Sequence, residues 1–187
     1  MVFSIVSRVV NGVKGGVTAG LEGVADVGSS VVTVVKDTTV KTLQETTEFA
    51  KEGLDIPASI VQGAFQGIGE VGASVIHTVK GVVQGTVEGF MESGGEQDAA
   101  VQGAVGQSVQ SAKELGIDVG ETAVAAVQGS VAAVAQVGGD TVRATKEAVL
   151  AAVGSAKELG GDAYDKVVTS LEAGVDGAQE IIEEAKR

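Results

Sequence analysis

Apolar residues recur along this chain at spacings of three, four and seven. From Val6 they fall at Val10, Val13, Val17, Leu21, Val24, Val31 and Val35, with Lys14, Glu22, Asp26 and Lys36 between them. That is the period of a helix with one buried face, and it predicts a long amphipathic helix over residues 1–53. The only proline is Pro57. Gly53 suits the end of a helix, Asp55 an N-cap and Pro57 a first turn, so a second long helix is predicted over 54–92. The polar, glycine-bearing segment Glu92–Asp98 is the next break. The region 93–187 is again helical in pattern, with weaker breaks at Gly138-Gly139 and Gly160-Gly161.

A repeat lies over this pattern. Gly72, Gly94, Gly116, Gly138 and Gly160 are spaced by 22, and Val83, Val105, Val127, Val149 and Leu171 fall 11 positions after each. An 11-residue period places three turns in 11 residues, about 3.67 per turn, so a helix that holds it keeps one nearly straight stripe. The glycines admit two readings. Gly-Gly-Asp is a C-terminal glycine followed by an N-capping aspartate, which would fold each unit back on its neighbour. Alternatively the glycines sit inside longer helices and let another surface approach. The 11-residue phase favours long helices, bent or broken at Gly-Gly, with these ten residues as helix-packing positions. The expected fold is all-α: an elongated bundle or ribbon of long amphipathic helices forming one domain. The alternative is a β-solenoid of one coil per repeat, against which the Ala-rich run Thr122–Val137 and the two Ala-Lys-Glu-Leu phrases speak.

Composition narrows the picture. The 187 residues include 28 Gly, no Trp and no Cys, and only 3% are aromatic. Any core must therefore be built from Val, Ala and Gly, and disulfides and thiolate sites are excluded. Glycine costs about 1 kcal/mol against alanine inside a helix, so these helices need something to pack against. A net charge of −12 repels nucleic acid, so no nucleic-acid partner is expected. A mean hydropathy of +0.28 is too apolar for a charge-rich disordered chain. Residues 1–10 lack the pattern of a secretory signal, and Val2 stands where N-myristoylation needs glycine.

Candidate chemistry is sparse. Gly67-Ile-Gly-Glu-Val-Gly72 matches the dinucleotide-binding spacing, but helical periodicity replaces the strand that this motif needs before it. Gly12-Gly16-Gly20 and Gly81-Gly85-Gly89 have the spacing of paired membrane helices, yet Lys14, Glu22, Lys80 and Glu88 interrupt them, and close packing of helices is the better reading. The uncharged stretch Thr122–Gly139 reads as a buried central helix rather than a membrane span. His77 and Tyr164, each the only one of its type, lack companions for metal or acid–base work. Glu114, Asp118, Glu121, Asp140 and Glu158 recur with the repeat, as caps and solvated faces do. No catalytic residue, cofactor or metal site is expected.

The phrases Ser30-Val-Val-Thr-Val-Val-Lys-Asp-Thr-Thr, Thr78-Val-Lys-Gly-Val-Val-Gln-Gly-Thr-Val-Glu-Gly and Ala50-Lys-Glu-Gly resemble, in style of repeat, the 11-residue repeats of perilipins and synucleins. That resemblance implies long amphipathic helices on lipid droplets or vesicles. The chain departs from it in charge, with 13 Lys and Arg against 25 Asp and Glu, which turns the implied surface from anionic to neutral. Two functions are expected from the sequence. One is a non-enzymatic structural protein that self-assembles through Gly/Ala/Val stripes into a bundle, sheath or filament. The other is a coat on a neutral lipid, granule or other apolar surface.

Overall fold

A computed structural model describes residues 2–45 and 55–187. Among them lie nine α-helices: α1 Val2–Leu21, α2 Val27–Gln44, α3 Asp55–Glu70, α4 Val79–Glu92, α5 Gln97–Leu115, α6 Val119–Val137, α7 Thr141–Leu159, α8 Gly161–Gly174 and α9 Ala178–Lys186. A single 3-10 turn, Ile76–Thr78, precedes α4, and no strand occurs among the described residues. The protein is all-α, and the β-solenoid is set aside. The expected break at Gly53 falls outside the described residues.

The long continuous helices do not occur. The predicted first helix is divided at Glu22–Asp26 into α1 and α2, and the second at Val71–Val75 into α3 and α4. A 19-residue helix spans about 28 Å, well short of the roughly 50–75 Å that unbroken helices of about 35 to 50 residues would reach. Fold-back is the correct alternative, and local chemistry explains it. Gly72, Gly94, Gly116 and Gly138 each adopt a left-handed φ between +70° and +93°. After each of them the next amide donates to the carbonyl five residues earlier: Ala73 to Ile68, Gly95 to Phe90, Ile117 to Ala112 and Gly139 to Val134. This is the Schellman ending that glycine permits at least cost. Asp118 and Asp140 then open the next helices by accepting from the amides of Glu121 and Arg143 at 2.8 and 3.0 Å. Asp26 does the same for Ser29 at the start of α2.

The glycines expected to pack helices are therefore turns. No atom lies within 4 Å of a Cβ added to Gly72, Gly116, Gly138 or Gly160, and Gly160 also has a positive φ. A leucine at Gly116 or Gly138 would strain the backbone without touching a neighbour. The other half of the set, Val83, Val105, Val127, Val149 and Leu171, lies within helices and is buried, with Val105, Val127 and Val149 at the helix centres. The 11-residue phase has a simple origin. Helix α5 or α6, of 19 residues, and its three-residue turn make 22, so the middle of each helix falls about 11 residues from the glycine at either end.

Each helix also packs on the next but one. Helices α1, α3, α5, α7 and α9 form one layer and α2, α4, α6 and α8 a second, while consecutive helices cross between the layers. The 22-residue register runs through the whole stack: Val17, Thr39, Val61, Val83, Val105, Val127, Val149 and Leu171 are all at most 1% exposed. With so little aromatic bulk, helices must approach closely. Gly12, Gly16 and Gly20 of α1 face Thr42, Thr38 and Val34 of α2, and Gly81, Gly85 and Gly89 of α4 face α2 from the same layer. Both glycine series thus pack helices within the protein. The Thr122–Gly139 stretch forms α6, in contact with α4, α5, α7 and α8. No helix among the described residues is long and apolar enough to cross a membrane.

Thr39 is the polar member of the buried column. Its Oγ1 has no hydrogen-bond partner. Desolvating an unpaired hydroxyl costs about 1–3 kcal/mol, and valine has nearly the same shape. Thr39→Val is expected to raise stability by about 1–2 kcal/mol, seen as a higher urea midpoint at unchanged slope. A midpoint at or below that of the parent would show that the hydroxyl carries no penalty here.

Candidate functional site

The charged residues mark the stacking of the layers. Lys14 of α1 pairs with Glu70 of α3 at 2.8 Å, and this bond holds the Glu70 carboxyl below the usual carboxylate range. Lys36 of α2 reaches Glu92 at 2.9 Å and Glu88 at 3.6 Å on α4, and the bond to Glu92 leads in raising the lysine above its ordinary value. Lys146 of α7 lies 3.8 Å from Glu184 of α9. Every one of these contacts joins neighbours within one layer.

Arg143 of α7 makes the most connected cluster. It pairs with Asp98 of α5, and its Nε donates to Glu147 at 3.1 Å. Glu147 is largely buried, and its second oxygen has no partner. Burial first, then the adjacent Asp98, raises the Glu147 carboxyl above the usual range against the opposing pull of Arg143. A carboxyl raised on folding favours the native state below its unfolded pKa, and that contribution is lost as pH rises through the folded value. At neutral pH the ionised Glu147 is therefore a liability. Glu147→Gln is expected to add about 1 kcal/mol at pH 7, the scale of one satisfied hydrogen bond, with a gain that shrinks towards pH 4. Denaturation across that range reads the difference, and a gain independent of pH would point to packing instead.

The positions singled out for chemistry do not converge. Gly67–Gly72 lies at the C-terminal end of α3, where carbonyls and the negative end of the helix dipole point outwards, the wrong end for a phosphate. Gly67 in that run faces the carbonyl of Lys14. His77 is exposed on the 3-10 turn, while Tyr164 is partly buried with Lys157 Nζ 5.7 Å from its ring centre. Asp118 and Asp140 are caps. Among the described residues no group of three or more His, Asp or Glu is arranged to hold a metal ion.

One concave surface lies beside the first two described helices. It is a groove of about 590 Å³ between α1 and α2, lined by Arg8, Gly15, Ala19, Asp37, Lys41 and Glu45 among others. Helix α3 approaches α1 at Val10, Lys14 and Val17. At helical period, Arg8, Gly15 and Ala19 fall on the opposite side, and all three are exposed. Because like layers recur every second helix, residue 15 corresponds to Ser59 and residue 19 to Gly63, where α3 receives the backbone of α1. The outer face of α1 thus has the small residues of a stacking face with nothing stacked on it among the described residues. In the other layer Asp37, Lys41 and Glu45 occupy the places of Gly81, Gly85 and Gly89. Sequence periodicity missed this groove because the relevant register is 44, not 22. Compared with known protein families and curated proteins, the chain matches no family model and no curated sequence.

Proposed function

We propose that this chain is a non-enzymatic structural protein, a helical-repeat scaffold that associates with further copies of itself. The observation that carries the reading is the outer face of α1, which keeps Gly15 and Ala19 at the register where α3 has the buried Ser59 and Gly63, the latter against the backbone of α1. In stacked-repeat proteins each unit buries its apolar face on the next, and terminal units remain soluble by presenting a polar outer face. Among the described residues Asp37, Lys41 and Glu45 cover the α2 side of this face, while Gly15 and Ala19 leave the α1 side open. The stripes expected to mediate assembly are consumed inside the stack, so association falls to the end faces, and an elongated assembly is the natural product. A coat on neutral lipid draws less support, because Val83, Val105, Val127, Val149 and Leu171 are buried and would reach an interface only if the stack opened.

Sedimentation velocity over a concentration series, with negative-stain electron microscopy of the same samples, tests the reading. Species growing with concentration in the absence of lipid are expected. A monomer at every concentration that sediments only with triglyceride emulsion would transfer support to the lipid coat.

A further inference from the structure

We propose that the open face of α1 and α2 pairs with the same face of a second copy about a two-fold axis at Gly15, giving an antiparallel, like-with-like dimer. This rests on the scaffold reading and adds to it the partner surface and the symmetry.

The charge pattern selects the occupant. Arg8, Gly15 and Glu22 are all exposed and follow one another at seven-residue intervals, about two turns, so they share one side of α1. Glu22 directly follows α1, and its amide still donates to the Thr18 carbonyl at 3.0 Å, which continues the helical path. A cation before Gly15 and a carboxylate equally far after it make this face its own complement. In an antiparallel pair centred on Gly15, each Arg8 meets Glu22 of the other copy. Helix α2 repeats the arrangement about the same centre. Gly12, Gly16 and Gly20 lie beside Thr42, Thr38 and Val34, so α2 runs antiparallel to α1 and residue 39 stands level with residue 15. Asp37 and Lys41, both exposed, lie equally far to either side of that level. The same axis therefore sets each Lys41 level with Asp37 of the second copy. Glu45, the remaining charge in the groove, stands level with Arg8 and shares it with Glu22 of the second copy.

These four groups are available for the pairing. Arg8, Glu22, Asp37 and Lys41 form no ion pair among the described residues, whereas Lys14 and Lys36 are already held by α3 and α4. Residues 1–45 hold four Lys or Arg and four Asp or Glu, so the whole net charge of −12 resides in residues 46–187. Two copies thus repel each other least through this neutral part of the chain. Its centre is also open to close approach, since no atom lies within 4 Å of a Cβ added to Gly15. A contact between identical faces closes on itself, so this face alone yields a dimer. Exposed charges are screened by ions, and association should weaken as salt is raised.

The chain has no cysteine, so single cysteines in the full chain report the symmetry directly. With copper–phenanthroline as oxidant, Gly15→Cys should cross-link to itself, because the axis brings both copies of residue 15 together. Arg8→Cys should not, since its two copies would lie about 21 Å apart along the helices, beyond the roughly 7 Å between Cα atoms that a disulfide spans. Mixing Arg8→Cys with Glu22→Cys should restore the bond. Sedimentation velocity, with circular dichroism to verify folding, reads the charges. Arg8→Glu and Glu22→Arg should each weaken association by about tenfold, because two exposed pairs turn repulsive at once. Both changes in one chain should return it close to the wild-type value, as only a like-with-like contact allows. Arg8→Cys that cross-links to itself as readily as Gly15→Cys overturns the axis. A double variant as weak as the single ones overturns the charge assignment. If the wild type associates and Gly15→Cys does not cross-link, this proposal falls and the scaffold reading stands. A wild type that stays monomeric at every concentration overturns both.

Discussion

Gly85→Ala is expected to destabilise the protein by about 1–3 kcal/mol, and Gly85→Leu by more than about 3 kcal/mol, enough to leave much of the chain unfolded. An added Cβ at Gly85 lies 2.6 Å from the carbonyl oxygen of Val32 and 3.0 Å from the amide nitrogen of Lys36, both backbone atoms of α2. Neither can rotate away as a side-chain end would, so α4 must lift off α2 and lose the burial around Val31, Val35 and Val82. Intrinsic propensity works the other way, since alanine is favoured over glycine in a helix by about 1 kcal/mol. Gly154 in α7 isolates that term, because nothing lies within 4 Å of a Cβ there and its φ is not positive. Gly154→Ala should raise stability by about 1 kcal/mol. The same substitution thus changes sign with its neighbour, and urea denaturation of the two variants measures the difference. Stability of Gly85→Ala equal to the parent would mean the layers slide apart without cost.

How much of this was legible in the sequence follows from what each signal encodes. The helix class was, because Val10, Val13 and Val17 keep a 3.6-residue period whatever the helix packs on. The buried half of the repeat was legible too, since a branched apolar residue every 22 positions is fixed by local position in a helix. The glycine half misled. A separation of 11 from Gly138 to Val149 is produced equally by one unbroken helix and by a helix ending at its glycine. Asp118 and Asp140, each two residues after a glycine, were the better guide, because an N-cap immediately past a C-terminal glycine has no place within a helix. The same signal, one residue longer, stands at Gly23 and Asp26, where the first long helix breaks. The groove was not legible at all. Its small residues stand out only by comparing Gly15 and Ala19 with Ser59 and Gly63, and that comparison needs the knowledge that α1 lies beside α3. The Asp98–Arg143–Glu147 cluster spans 45 and more residues for the same reason.

Two deletions separate the 22-residue pattern from the 44-residue architecture. Removing Gly138–Leu159 takes out α7 with its turn, 22 residues; removing Gly116–Leu159 takes out α6 and α7 with theirs, 44 residues. Both remove Arg143 and Lys146, and both join a helix end directly to Gly160, so ion-pair loss and turn chemistry are matched. If the repeating unit is one helix, the smaller deletion should be the milder, because every remaining helix keeps its buried column in phase. The layers predict the reverse. After the 44-residue deletion α8 follows α5 and returns to its own layer, stacking on α4 as α6 did. Ala173 then takes the place of Gly129, which faces the carbonyl of Lys80, so Ala173→Gly is included in both chains. After the 22-residue deletion α8 is forced into the other layer against α5. There the close approach of Gly120 to the Lys166 carbonyl and Ser170 is lost, and α9 is displaced to the wrong side. The shorter chain is expected to unfold cooperatively, and the longer one to lose its transition and bind hydrophobic dye. A sharper transition in the 22-residue variant than in the 44-residue one would make the single helix the unit of this fold.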